Sequence, residues 1–129
     1  NLTEIRKITL ESNGLYGQLP PGIGNLVRLE ELTLSSNKMN GTIPIEIGNM
    51  TSLKKLSLKG NNFSGELPPE IVELTNMEWM YLSSNQFTGS IPDGLGKLFK
   101  FKIKLSIIKD VVNTNHLPVI LDAIATPSI

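Results

Sequence analysis

Apolar side chains recur along most of this chain with a period of 24 residues. In the stretch 26–49, the segment Leu32-Thr33-Leu34 alternates apolar and polar side chains, which is the pattern of a short strand with one buried face. The seven apolar positions of that stretch are Leu26, Leu29, Leu32, Leu34, Met39, Ile43 and Ile47. A strict period of this length predicts a solenoid of stacked coils, which displays a long surface suited to binding.

Asparagine, glycine and proline keep the same period. The asparagines follow each predicted strand and are Asn13, Asn37, Asn61 and Asn85. Because an asparagine amide both donates and accepts hydrogen bonds, we expect these four to form a ladder that satisfies backbone groups of their own and the adjacent coil. The glycines are Gly17, Gly41, Gly65 and Gly89, and the prolines are Pro20, Pro44, Pro68 and Pro92. Glycine frees the backbone at a second corner, and proline fixes φ where the chain crosses to the opposite side.

Four full repeats begin at Leu2, Leu26, Met50 and Leu74, so the sequence predicts a repeat region over residues 1–97. Residues 98–129 form a degenerate fifth start followed by an irregular tail, in which Lys109 stands at the asparagine position. Two explanations remain open for this tail: a shifted reading frame or splice boundary near Lys100, or a genuine irregular terminus. The chain opens on Asn1 with no initiator methionine and no apolar leader, which predicts an internal segment of a longer protein.

The repeat L-x-x-L-x-x-L-x-L-x-x-N-x-L-x-G-x-(L/I)-P, seen as LEELTLSSNKMNGTIPIEIGNM from Leu29 to Met50, resembles the plant-type leucine-rich repeat. The resemblance covers residues 2–97 and implies a curved α/β solenoid. Its concave face would be a parallel β-sheet, with short strands on the flank and short helical turns on the convex side. The fourth repeat, LTNMEWMYLSSNQFTGSIP, is most similar to receptor kinases that carry a malectin domain between the repeats and the membrane.

The same resemblance implies the extracellular part of a receptor-like serine/threonine kinase at the plasma membrane. Its partner would be a peptide, a cell-wall component or a co-receptor protein. Two alternatives stay open: a secreted repeat protein without a kinase, such as an inhibitor of wall-degrading enzymes, and a truncated product without function. The chain has 12 acidic and 12 basic side chains and a formal net charge of zero, which gives no electrostatic reason to expect nucleic acid or membrane contact by this segment.

Side chains that alternate with the buried leucines are expected on the concave face. Trp79 and Tyr81 stand out there, because they lie two residues apart and because Trp and Tyr are enriched at interface hot spots. Lys55, one coil earlier, is placed to lie over the indole as a cation–π neighbour. The candidate ligand-binding residues are Trp79, Tyr81, Lys55, Ser57, Glu31 and Lys59. A competing interpretation is that Trp79 only covers the end of the solenoid.

The acceptor pattern N-x-(S/T) for N-glycosylation occurs at Asn1, Asn40, Asn49 and Asn62. Asn49 and Asn62 are the stronger candidates, since Asn40 precedes Gly41 and so also has an interpretation as a turn residue. Catalytic patterns are missing: His116 is the one histidine, and there is no cysteine. Gly22-Ile23-Gly24 and Gly96-Lys97 do not complete nucleotide-binding motifs, because Val27 and Ile91 stand where each motif needs a further glycine. We therefore expect no enzyme activity, no metal and no cofactor in this chain, with any kinase activity lying elsewhere in a longer parent.

Overall fold

The computed structural model describes residues 2–89 together with Pro92, Gly94 and Leu95. After a short 3₁₀ turn at Leu2–Glu4, the chain repeats one order of elements: a strand, a second strand and a 3₁₀ turn. The predicted repeat boundary at residue 97 and the predicted irregular tail 98–129 lie outside the described residues. Within them, the arrangement is the predicted solenoid.

The first sheet is built from the Leu-x-Leu segments. Its strands lie in the order β1-β3-β5-β7, all parallel, and span Lys7–Thr9, Glu31–Thr33, Lys55–Ser57 and Trp79–Tyr81. Equivalent residues of successive repeats pair directly, so Leu32 lies beside Leu56 and Leu56 beside Met80. This register stacks the apolar positions of one coil on those of the next and buries them in a continuous core.

The second sheet comes from the segments that contain the periodic glycines. Its parallel strands lie in the order β2-β4-β6-β8 and span Tyr16–Gln18, Lys38–Gly41, Asn62–Gly65 and Gln86–Phe87. Its register differs from that of the first sheet, because Asn40 pairs with Asn62 and not with Ser64, its equivalent one repeat later. Phe63 and Phe87 point inward from this sheet and stack with ring centroids 6.4 Å apart.

The helical turns opposite the strands are 3₁₀ rather than α and span Pro21–Asn25, Ile45–Asn49 and Pro69–Glu73. A proline in extended conformation precedes each one, as at Pro44 with φ −69° and ψ 148°. Ile47 and Ile71 project from these turns into the core and are fully buried. The core therefore runs along the solenoid between three columns: the two sheets and the 3₁₀ turns.

The side chain of Asn37 joins two coils by hydrogen bonds to backbone groups. Its Oδ1 accepts from the backbone N–H groups of Asn13 at 2.8 Å and Leu15 at 3.0 Å. Its Nδ2 donates to the carbonyl oxygens of Leu10 at 2.8 Å and Leu34 at 2.9 Å. One buried amide thus satisfies donors and acceptors that the turn would otherwise leave unpaired.

The other asparagines of the series show how this bonding depends on a preceding coil. Asn61 and Asn85 repeat the pattern, each donating to two carbonyls of its own coil and one of the coil before. Asn13, in the first coil, is exposed, and its Nδ2 donates only to the nearby carbonyl of Glu11 among the hydrogen bonds between described residues.

The residue before each asparagine has left-handed backbone geometry. Ser12, Ser36 and Ser84 have φ between 56° and 58°, and Gly60 occupies the same position in the third coil with φ 71°. A side chain disfavours this region, whereas glycine enters it freely. The chain therefore carries serine at three positions whose backbone suits glycine.

We expect Ser36→Gly to raise the free energy of unfolding by about 0.5 kcal/mol, since relief of the left-handed strain outweighs the added freedom of the unfolded chain. Urea denaturation followed by circular dichroism measures this change. Ser35→Gly is the matched control, because Ser35 is not among the residues with positive φ and should lose about 0.5–1 kcal/mol. Equal losses for both variants would show that the left-handed geometry carries no strain.

Candidate partner-binding surface

Trp79 and Tyr81 form an aromatic pair on the outward side of the first sheet. They flank the buried Met80 in β7, and their rings stack with centroids 6.3 Å apart and an interplanar angle of 14°. Trp79 remains 39% exposed even though the rings shield each other. Because large aromatic surface is costly to leave in water, a stacked pair that stays accessible is a natural contact point for a partner.

Lys55 lies directly beside Trp79, its in-register neighbour on β5. The same column of the first sheet begins with Lys7 and Glu31, whose side chains form an ion pair of 3.3 Å. The charges therefore alternate along this column, positive at Lys7, negative at Glu31 and positive at Lys55. The next position in the column holds the indole of Trp79. This end of the sheet combines cationic charge with aromatic surface.

A second line of charges runs beside the first sheet, one residue before its strands. Glu30 binds both Arg6 at 3.0 Å and Lys54 at 3.1 Å. Hydrogen bonds from Lys54 and then from Arg6 lower the pKa of the Glu30 carboxyl below its ordinary value. All three side chains are solvent-accessible, so these pairs align neighbouring coils without contributing much stability.

The second column of this sheet is less accessible than the alternation suggests. Ser57, a candidate contact residue, is only 6% exposed, and Thr33 beside it is 2% exposed. Each of these small side chains lies on a strand that has a neighbouring strand about 4.8 Å away on either side. The side chains of those neighbouring strands cover it. Ser57 points to the expected face but offers a partner little surface.

The remaining candidates are spread over the same face. Glu31 lies in β3, one strand further from the aromatic pair, and its carboxylate is engaged by Lys7. Lys59 is exposed and lies just beyond the end of β5. The structure therefore brings Trp79, Tyr81 and Lys55 into one cluster and places the other candidates around it.

The predicted glycosylation sites lie away from this face. Asn40 in β4 and Asn62 in β6 are exposed on the second sheet, where they are in-register partners. Asn49 is exposed at the end of the 3₁₀ turn Ile45–Asn49. The pairing of Asn40 with Asn62 is not visible in the sequence, whose period matches Asn40 with Ser64.

Residues 2–89, with the three further described positions, contain no group of three or more His, Cys, Asp or Glu side chains able to hold a metal ion. In the same part of the chain, no helix has the length and apolar character needed to cross a membrane.

A family model described as leucine rich repeat matches this chain twice, over residues 3–63 and 27–87. The two matches together span about two thirds of the sequence and coincide with the described coils. The matched unit is a repeat and not a catalytic domain. No curated protein matches the chain.

Solved structures similar to this chain include extracellular domains of plant receptors. The ectodomain of the Arabidopsis thaliana membrane receptor kinase GASSHO1/SCHENGEN3, in complex with CASPARIAN STRIP INTEGRITY FACTOR 2, is 42% identical with a TM-score of 0.74 over 78% of this chain and 12% of its own. The Arabidopsis receptor kinase HAESA, in complex with the peptide hormone IDA and the co-receptor SERK1, is 36% identical with a TM-score of 0.73 over 79% of this chain and 17% of its own.

The plant peptide hormone receptor RGFR1, in complex with RGF2, is 34% identical with a TM-score of 0.74 over 86% of this chain and 20% of its own. The chain therefore spans a fifth or less of each of these three receptor chains. The matched part corresponds to a few coils of each of these longer receptor chains.

Proposed function

Since the chain belongs to the leucine-rich repeat family, we propose that it forms part of the extracellular ligand- or co-receptor-binding surface of a plant receptor kinase. The observation that carries this proposal is the accessible stacked pair of Trp79 and Tyr81 on the first sheet, with Lys55 beside it. Catalytic activity would belong to a kinase domain elsewhere in the parent protein. The chain itself would lie on the outer side of the plasma membrane.

The first sheet is the face that fits a partner best. In the leucine-rich repeat fold it forms the concave side, and it carries the exposed aromatic pair. None of the acceptor asparagines Asn40, Asn49 and Asn62 lies on it. A partner could therefore approach this face without meeting carbohydrate, while the second sheet and the 3₁₀ turns carry the modification.

The size of the first sheet limits what these coils can bind alone. Four strands spaced about 4.8 Å apart make a sheet roughly 20 Å wide, and with about four residues per strand its area is a few hundred Å². A standard partner footprint is about 800 Å². We therefore infer that the coils supply one section of a larger contact surface, and that the chain by itself binds weakly.

The partner class follows from the chemistry of the cluster and from the similar receptors. Aromatic rings beside a lysine suit a peptide backbone with apolar and acidic side chains, or the surface of another ectodomain. The similar structures hold CASPARIAN STRIP INTEGRITY FACTOR 2, RGF2 and, for HAESA, the peptide hormone IDA with the co-receptor SERK1. A peptide or a co-receptor ectodomain is thus the proposed partner of this chain.

We expect at least one of four probes to bind the 129-residue chain: CASPARIAN STRIP INTEGRITY FACTOR 2, IDA, RGF2 or the SERK1 ectodomain. Trp79→Ala should then weaken that binding about tenfold or more, because truncating an aromatic hot spot removes over 1 kcal/mol. Biolayer interferometry with immobilised chain measures both quantities.

Tyr16→Ala is the matched control, because Tyr16 is 86% exposed but lies on the second sheet. Its affinity should equal that of the unchanged chain. If binding were lost in Tyr16→Ala and kept in Trp79→Ala, the partner would contact the second sheet, and the proposed contact with the first sheet would be wrong. Failure of all four probes to bind would contradict the proposed partner class.

A further inference from the structure

Asn40 and Asn62 occupy adjacent positions on two neighbouring parallel strands. They are Cα partners in the register of β4 and β6, and both side chains are exposed. Each begins an acceptor pattern, Asn40-Gly41-Thr42 and Asn62-Phe63-Ser64. The residues that follow them, Gly41 and Phe63, are also register partners, and Phe63 is fully buried. The side chains of both asparagines therefore project from the same face of the sheet, toward the solvent.

We propose that Asn40 and Asn62 act as one carbohydrate attachment position, at which the folded chain accommodates a glycan on either asparagine but not on both. This inference rests on the proposed extracellular setting, since only there would the acceptor patterns be used.

Spacing is the physical reason for the exclusion. Neighbouring strands lie about 4.8 Å apart, and in-register side chains on one face leave the sheet nearly parallel to each other. An N-linked glycan is a branched chain of sugar rings and needs more lateral room than one strand spacing provides. Two such chains on Asn40 and Asn62 would have to splay apart, which strains the backbone pairing of β4 with β6.

The rigidity of the surrounding strands makes splaying unfavourable. Phe63, next to Asn62, is held in the core and stacks on Phe87. Met39, next to Asn40, is also buried in the core, and β4 pairs with β2 on its other side. Neither strand can move outward without exposing these buried side chains. A chain modified at both positions would therefore fold less well than one modified at either position alone.

Asn49 provides an internal comparison. It is closer to Asn62 in the sequence than Asn40 is, but it lies at the end of the 3₁₀ turn Ile45–Asn49, in a different column of the solenoid. If closeness along the chain limited modification, Asn49 and Asn62 would compete more strongly than Asn40 and Asn62. If register limits it, only the pair on β4 and β6 competes.

The test uses the 129-residue chain, fused to an N-terminal signal peptide and secreted from plant cells. The fusion directs the chain into the secretory pathway, so the result does not depend on the location of the parent protein. In the variant Asn1→Gln/Asn49→Gln, only Asn40 and Asn62 remain as acceptors. The intact mass of the monomeric fraction, before and after enzymatic removal of glycans, counts the carbohydrate chains on each molecule. We expect one chain per molecule, and still one after adding either Asn40→Gln or Asn62→Gln.

The control variant Asn1→Gln/Asn40→Gln keeps Asn49 and Asn62, and we expect two glycans on it. A monomeric fraction of Asn1→Gln/Asn49→Gln in which most molecules carry two glycans would overturn the inference, as would one without carbohydrate at either asparagine. These outcomes are independent of the binding measurements with the four probes, which test the proposed function.

Discussion

Replacing Asn37 with alanine is expected to lower the free energy of unfolding by about 3–4 kcal/mol, because backbone groups of two coils would each lose a hydrogen bond to its amide. The amide of Asn37 makes four hydrogen bonds of 3.0 Å or less, which reach two coils. Asn37 is only 9% exposed, so water has little access to its amide. Urea denaturation of the 129-residue chain, followed by circular dichroism, measures the loss.

Two further variants separate hydrogen bonding from loss of volume. Asn37→Asp keeps the size of the side chain and its acceptor oxygen but removes the N–H donors to the carbonyls of Leu10 and Leu34, so it should be at least as unstable as Asn37→Ala. Asn13→Ala should change stability by less than about 0.5 kcal/mol, as is usual for exposed substitutions. Similar losses for Asn13→Ala and Asn37→Ala would refute the ladder as a source of stability.

Replacing Gly24 with alanine is expected to destabilise the chain by about 2–3 kcal/mol, because the added methyl group has no room between two coils. A Cβ at Gly24 would lie 2.6 Å from the carbonyl oxygen and 2.8 Å from Cβ of Glu46 in the next 3₁₀ turn. Gly48 meets Glu70 in the same way, at 2.8 Å from both atoms. The stacking of successive 3₁₀ turns therefore depends on glycine at this position.

Gly22 gives a control within the same 3₁₀ turn, Pro21–Asn25. A Cβ at Gly22 would meet nothing within 4 Å, so Gly22→Ala should be neutral or stabilise the chain by about 0.5 kcal/mol through the unfolded state. Thermal unfolding of both variants under one set of conditions compares them directly. Equal midpoints for Gly22→Ala and Gly24→Ala would show that stacking of the 3₁₀ turns does not require glycine at position 24.

Much of the fold can be predicted from the sequence because the same 24-residue pattern occurs four times. The alternation in Leu32-Thr33-Leu34 predicts the first sheet, and the recurrence of Asn37 predicts an amide that bonds to its own and the adjacent coil. The hydrogen bonds of Asn37 to Leu10 and Leu34 agree with that expectation. Repetition makes such predictions strong, since each element must fit the same neighbours in every coil.

Features that depend on distances between coils could not be predicted in this way. Alternation gives the direction of the Ser57 side chain, but its 6% exposure depends on the strands on either side. The period matches Asn40 with Ser64, whereas the register of the second sheet pairs it with Asn62. Gly24 is recognisable in the sequence as a member of the repeat, but the need for glycine there follows only from its approach to Glu46.

A partner is expected to contact the first sheet at Trp79 and Tyr81. Trp79 is the only tryptophan of the chain, so its indole N–H gives a single, unambiguous nuclear magnetic resonance signal. Titration of the isotope-labelled chain with the probe that binds in the interferometry experiment should shift or broaden this signal with the same affinity as the overall binding. Saturation by that probe with the indole signal unchanged would contradict the claim, because the partner would then lie elsewhere on the solenoid.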